Sequence, residues 1–277
     1  MDPRRAALLD AMGVQRYVLR GGPADLVAEA VESVVIAHEP VPALVPDIKI
    51  ATQSPPAPVF ARATRPTPVA TKPTAVDPVS APVMPAPDTS GLDWSGLRAA
   101  VEACRRCGLC ETRTQTVFGV GDLSARWLIV GEAPGADEDR AGEPFVGRAG
   151  QLLNAMLNAA GQPRASVYIA NVLKCRPPAN RDPSVEEVRQ CLPNLQRQID
   201  LVAPDLIVCV GRVAAQNLLG VDTPLAQLRG KVHPLGSRQT PVIVTYHPAY
   251  LLRSPGEKRK AWMDLKFALE VARVRRT

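Results

Sequence analysis

Residues 127–153 read WLIVGEAPGADEDRAGEPFVGRAGQLL, and how they are read decides the fold. The apolar run Trp127-Leu128-Ile129-Val130 predicts a strand. From Gln151 through Leu157 the apolar residues recur at helical spacing, so the order is strand, long loop, helix. In an open α/β sheet, ligands sit beyond the carboxyl ends of the strands, which is where this loop would lie. It brings small residues such as Gly131 and Ala133 that let a ligand approach the backbone. It also brings five acids (Glu132, Asp137, Glu138, Asp139, Glu143) and one exposed-looking aromatic, Phe145. Its glycines fit neither G-x-G-x-x-G nor G-x-x-x-x-G-K-[ST], and the acids would repel phosphate. A solvated acidic loop is the plain alternative to a binding site.

The same alternation continues outward from this unit. Helix Ala149–Ala160, strand Val167–Asn171, helix Val185–Leu201, strand Leu206–Val210, helix Val213–Leu219, strand Val242–Tyr246 and helix Lys258–Arg273 follow, with a helix over Leu97–Cys107 in front. Strand and helix in turn predict a mostly parallel sheet covered on both faces by helices. The unit runs from residue 91 to 277. A domain of roughly 180 residues buries about 70% of its unfolded surface and needs no staple for size.

The 277 residues carry a formal net charge of +6 and 46% hydrophobic but only 4% aromatic residues. The mixed-sign basic balance permits a nucleic-acid partner without demanding one. No run of 18 apolar residues and no signal-peptide core is present, so we expect a cytoplasmic protein without a membrane partner, in which thiols stay reduced. Residues 1–38 hold two short helical patterns, Ala6–Leu19 and Ala24–Ala37. From Glu39 to Asp88 stand 13 of the 28 prolines, so residues 39–90 read as an extended, largely disordered Pro/Ala-rich tether. The N-terminal piece is either a dispensable extension or a docking element for a partner.

Because the domain needs no staple, its cysteines need another reason. Cys104-x2-Cys107 precedes the first strand, and Cys175 and Cys191 bracket a segment rich in proline and charge. Two separated pairs suit a four-thiolate site, which spacing alone leaves open between zinc and a [4Fe–4S] cluster. Cys110 extends the first pair and complicates the ligand count. Cys209 lies within an apolar strand and reads as a small core residue.

Strand Val167–Ala170 ends in Asn171, and strand Val242–Tyr246 ends in His247. In a parallel sheet both emerge at the edge that carries the acidic glycine loop. An amide, an imidazole and an aromatic converging there make a pocket for a planar polar ring. The amide can pair with donor and acceptor on a base edge, Phe145 can stack on its face, and His247 can steady a developing negative charge.

These segments, GEAPGADEDRAGEPFVGRAGQLL, IANVLKCRPPANRDP and HPAYLLR, together with the four placed cysteines, resemble the family 4 (iron–sulfur) uracil-DNA glycosylases from about Cys104 to the C-terminus. The resemblance implies a three-layer α/β/α core with a four-stranded, mostly parallel sheet, and a [4Fe–4S] cluster on Cys104, Cys107, Cys175 and Cys191. It implies a monofunctional enzyme that flips uracil out of single- or double-stranded DNA and hydrolyses the glycosidic bond, acting as a monomer. The implied catalytic set is His247, Glu132, Glu138 and Asn180, with Glu138 beside the ring where a thymine methyl would clash and either Glu138 or Glu132 orienting the water. Gly131, Ala133, Phe145 and Asn171 would bind the base. Tyr250-Leu251-Leu252 would wedge into the base stack while Arg148, Lys231 and Arg253 hold phosphates. Ala133 stands where some members have glycine, and Cys110 is an addition. A non-catalytic DNA-binding module using the same pocket is the alternative class.

Overall fold

The computed structural model describes residues 85–275. The two N-terminal helical readings and the tether up to residue 84 lie outside the described residues. In chain order the elements are α1 (Trp94–Glu102), α2 (Leu109–Thr112), β1 (Val120–Gly121), β2 (Trp127–Gly131), α3 (Ala136–Ala141), α4 (Arg148–Ala159), β3 (Val167–Asn171) and α5 (Val185–Val202). Then come β4 (Leu206–Val210), α6 (Arg212–Leu219), α7 (Leu225–Leu228), β5 (His233–Leu235), β6 (Thr240–Thr245), α8 (Pro248–Arg253) and α9 (Lys258–Val274).

The sheet has six strands in the order β1-β3-β2-β4-β6-β5. Its four central strands are parallel, as the alternation predicts, and β2, β3 and β4 are buried at every position. Leu128, Val130, Tyr168, Cys209 and Val244 pack on one face, with Val188 and Leu195 of α5 and Ala214 and Leu218 of α6. Trp127, Ile129, Ile169, Val208 and Ile243 pack on the other, with Leu153 and Leu157 of α4 and Ala268 and Ala272 of α9. These are the three expected layers, and Cys209 is a core residue whose thiol burial pushes well above its usual range.

Three features differ from the sequence reading. The antiparallel edge strands β1 and β5 make the sheet six-stranded rather than four. They are two and three residues long, and β5 carries Pro234, which suits an edge strand. Helix α1 ends at Glu102, short of the cysteines, where Arg113 Nη2, 11 residues downstream, donates to the Glu102 carbonyl (3.1 Å) and also to that of Cys104 (3.0 Å). Residues 85–90, which composition assigns to the tether, are tied to the domain. Thr89 donates its hydroxyl to the Pro193 carbonyl (3.0 Å), and Arg106 donates to the Pro85 carbonyl.

Register fixes the working edge. Gly131 pairs with Asn171, Val130 with Cys209, and Val210 with Thr245, so the four central strands end at one level. After β2 the chain crosses to β3 on one side and then to β4 on the other. The crevice between β2 and β4 is therefore the topological switch point, where α/β sheets bind ligands.

Candidate active site and cysteine-lined cavity

At that edge lies a solvent-open cavity of about 990 Å³, lined by Glu132, Ala133, Glu138, Phe145, Asn171 and Asn180, with His247 and Arg253 on the α8 side. Every residue assigned from sequence to catalysis or to the base borders it, apart from Gly131, which lies beneath. An ideal Cβ on Gly131 would stand 2.3 Å from Asn171 Oδ1 and 2.7 Å from Phe145 Cζ. Glycine is required at 131 because the amide and the ring close over its Cα.

Asn171 is 2% exposed, and its Oδ1 is a buried acceptor with no hydrogen-bond partner among the described residues. Such an atom in a native fold calls for a ligand that satisfies it. Its backbone is held from below: Lys174, 1% exposed, donates Nζ to the Asn171 carbonyl (2.8 Å) and to Gln198 Oε1 (2.6 Å). Gln198 in turn donates to the Phe118 carbonyl (2.9 Å) and Tyr168 hydroxyl (3.2 Å). Nothing in the sequence pattern gave Lys174 this role, since a lysine beside a cysteine reads as a surface cation.

The acidic loop is more ordered than its composition suggests. Its middle forms α3, and Glu138 of α3 accepts from the Gly135 N–H (Oε2, 3.1 Å) and from the Val146 and Gly147 N–H groups (Oε1, 3.0 and 3.2 Å). Phe145 is buried rather than exposed. It occupies the left-handed region at φ 55°, and its ring lies 5.6 Å from that of His247 at 33°. Its backbone abuts α4 so closely that a Cβ on Gly150 would fall 1.8 Å from the Phe145 carbonyl oxygen.

His247 caps α8, its Nδ1 accepting the Ala249 N–H at 3.1 Å, so a neutral ring carries its proton on Nε2. Burial, assisted by the Arg253 charge, lowers its pKa to about 4, and the imidazole is a neutral donor at physiological pH. Glu132 moves the other way. Burial and then repulsion by Asp182 raise its pKa to about 7, against the pull of Arg212, which is paired to Asp182 at 2.8 Å. The Asp182–Arg212 pair joins the loop after β3 to the start of α6, 30 residues on, and no local pattern signals it. Asn180 is exposed, sits at φ 53° and accepts from Arg176 Nε at 2.9 Å.

Around the rim, Tyr250 is 38% and Leu252 37% exposed, but Leu251 is fully buried against Leu152, Met156 and Leu265. Leu251 therefore belongs to the core and cannot enter a base stack. In a six-residue helix one of three successive residues must face inward, and the His247 cap sets which. The Tyr250 ring stacks on Tyr246 (5.2 Å, 21°). Arg229 lies 4.2 Å over Tyr246 and is fixed by a two-pronged pair with Asp264 (2.8 and 3.0 Å). Arg148 and Lys231 are exposed and are not among the cavity-lining residues.

Cys104, Cys107, Cys110, Cys175 and Cys191 ring a second, smaller cavity between α1, α5 and the chain after β3. Arg113 Nη1 donates to Cys175 Sγ (2.9 Å), and the Lys174 N–H to Cys191 Sγ (3.2 Å). Burial raises the Cys175 and Cys107 thiols and pushes Cys191 up to about 12. Among the described residues, no three His, Cys, Asp or Glu side chains gather around a single metal ion.

Residues 118–266 match the profile of the Uracil DNA glycosylase superfamily. The chain is 47% identical over 172 residues to the type-4 uracil-DNA glycosylase of Archaeoglobus fulgidus, covering 60% of this chain and 86% of that one. It is 41% identical over 180 residues to the type-4 enzyme of Pyrobaculum aerophilum (63% and 92%). With that of Thermotoga maritima it shares 45% identity over 156 residues (56% and 80%).

Proposed function

The chain belongs to the uracil-DNA glycosylase superfamily, and from that membership and the pocket we infer that it excises uracil from DNA, hydrolysing the N-glycosidic bond to leave an abasic site for repair. The observation that carries the reading is Asn171: a buried amide with an unsatisfied Oδ1, bordering a pocket beside an aromatic ring. Incubation with uracil- and thymine-containing oligonucleotides, followed by alkaline cleavage, should show abasic sites in the first alone. Binding without cleavage would replace the enzyme by a recognition module.

Chemistry on a base within a duplex requires extruding it, at a cost of a few kcal/mol. Leu252 and Tyr250 are the exposed groups of α8 that would fill the gap, and Arg253, Arg148 and Lys231 would hold phosphates. The flipped uracil lies on Phe145. Asn171 Oδ1 accepts from its ring N–H and Nδ2 donates to a carbonyl oxygen. Bond cleavage leaves an oxocarbenium-like sugar and a uracil anion, and the neutral His247 donates Nε2–H to the oxygen where that charge grows, with backbone N–H groups of the Glu132–Ala133 turn as further donors. Glu138 frames the ring edge on which a thymine methyl would project, while Asn180 assists at the mouth.

Glu132 is our candidate for orienting the water, a task for its carboxylate. With its pKa near 7 and that of His247 near 4, Glu132 rather than His247 titrates in the neutral range. The single-turnover rate should therefore rise with pH through about 7 and level off above it. In Glu132→Gln the rate should be lower and the slope absent. Persistence of the same limb in that variant would assign it to another group.

We further propose a [4Fe–4S] cluster on Cys104, Cys107, Cys175 and Cys191. Five thiols ring one cavity, a soft donor set of the kind that holds such a cluster, and the similarity to the type-4 enzymes favours it over zinc. When bound, the cluster supplies a cross-link between the segment after α1 and the loop carrying Asn180–Asp182. Protein purified anaerobically should hold about four irons and absorb broadly near 400 nm. Cys191→Ala should lose the iron and Cys209→Ala keep it, whereas stoichiometric zinc would overturn the proposal. Cys110 is the spare thiol to test if Cys191→Ala stays loaded. We place the enzyme in the cytoplasm, where such thiols stay reduced, acting as a monomer on single- or double-stranded DNA, with residues 1–38 available to a repair or replication partner.

A further inference from the structure

The ring assigned to stack on the base stands on strained backbone, since an aromatic residue at φ 55° reverts to extended geometry unless its surroundings hold it. Three groups do so. On the N–H side, Glu138 accepts from Val146 and Gly147 (3.0 and 3.2 Å). Underneath, the backbone of α4 at Gly150 meets the Phe145 carbonyl directly. On the carbonyl side, Arg164 donates Nη2 to Pro144 O (2.7 Å) and Nη1 to Phe145 O (3.4 Å), while Nη1 also reaches Asn154 Oδ1 of α4 (3.3 Å). A planar guanidinium can span two successive carbonyls and a side-chain amide, which a lysine ammonium cannot match.

Arg164 lies on the 3₁₀ turn Arg164–Ser166 that leads into β3, and it borders no part of the pocket. It is half-buried, and the anion that acts on it is Glu143, two residues before Phe145. We infer that Arg164 is a positioning residue for base excision: it fixes the Pro144–Phe145 carbonyls so that Phe145 presents its ring to the flipped base, without touching uracil or DNA. The inference rests on the uracil-excision reading. It adds that the pocket's stacking surface is set by a cation behind it.

The experiment is a double-mutant cycle on full-length protein as purified, read as single-turnover uracil release and as affinity for a duplex holding a stable abasic-site analogue. Arg164→Met keeps the stem and removes the fork. It should slow release on the order of 100-fold, the scale of a displacement of about 1 Å at a reacting site, and leave analogue affinity within about threefold. Arg164→Lys should recover part of the rate. In a Phe145→Leu background the Arg164→Met penalty should shrink to under about threefold, because the ring it positions is gone. A penalty undiminished in that background, or Arg164→Met with wild-type rates, overturns the inference. Were Arg164→Met to lose its cooperative melt, the Arg164→Lys arm would decide alone: a wild-type rate from a folded Lys variant contradicts the positioning role. Failure of the wild type to release uracil would instead overturn the underlying reading.

Discussion

Gly131→Ala should release uracil about 100- to 1,000-fold more slowly than wild type while folding normally, the scale expected when a binding group is displaced by about 1 Å or an electrostatic donor is lost. The added methyl would stand 2.3 Å from Asn171 Oδ1 and 2.7–2.8 Å from two atoms of the Phe145 ring, distances that carbon does not tolerate. Neither β2 nor β3 can retreat, because Gly131 and Asn171 are paired in the middle of a sheet and Lys174 clamps the Asn171 carbonyl. The Asn171 amide and the Phe145 ring must therefore yield, and these are the two groups assigned to the base. Circular dichroism and a thermal melt would establish the fold, and single-turnover assays the rate. A folded variant within about threefold of wild type would show that the base lies elsewhere.

Asn171→Asp should be the other severe variant. The wild-type amide offers one acceptor and one donor, matching the N–H and C=O of uracil; cytosine presents the reverse pattern. An ionised carboxylate accepts only, faces the uracil carbonyl without a proton and repels the anion that cleavage creates. Each mismatched buried group costs about 1–3 kcal/mol, and rejection at sites built for a hydrogen bond reaches 10⁴-fold or more, so a loss of about 10³-fold is expected. Some preference should shift to cytosine, whose exocyclic amine a carboxylate can accept. Oligonucleotides carrying one uracil or one cytosine in single strands remove base pairing from the comparison. Equal uracil rates in wild type and variant would remove Asn171 from recognition.

The central strands were legible because burial on both faces leaves uninterrupted apolar runs: β3 and β4 are found at the residues predicted, and β2 extends one residue to Gly131. The pocket was legible for a related reason. Parallel strands must end together, so the sequence alone assigns Asn171 and His247 to one edge with the glycine loop. What the sequence hides is what depends on contacts between distant residues. Phe145, flanked by proline, glycine and acids, looks solvated, yet Arg164 and Glu138 turn it inward. Glu138 looks like one acid among five, but both its oxygens accept backbone N–H groups that build the loop. Its truncation to alanine would therefore disturb Phe145 as well as any thymine gate. Leu251 reads like its neighbours Tyr250 and Leu252 until the helix cap at His247 assigns it to the core. The elevated pKa of Glu132 depends on Asp182, placed beside it by the loop after β3.

The central claim is that this pocket breaks a glycosidic bond, and detection of the free base tests it most directly. Full-length protein in excess over a duplex with one uracil opposite guanine should release about one equivalent of free uracil, measured chromatographically. The strand should stay intact until alkali cuts it at the abasic site, and the matching thymine duplex should release nothing. Tight binding to the uracil duplex with no free uracil, or strand scission before alkali, would contradict it.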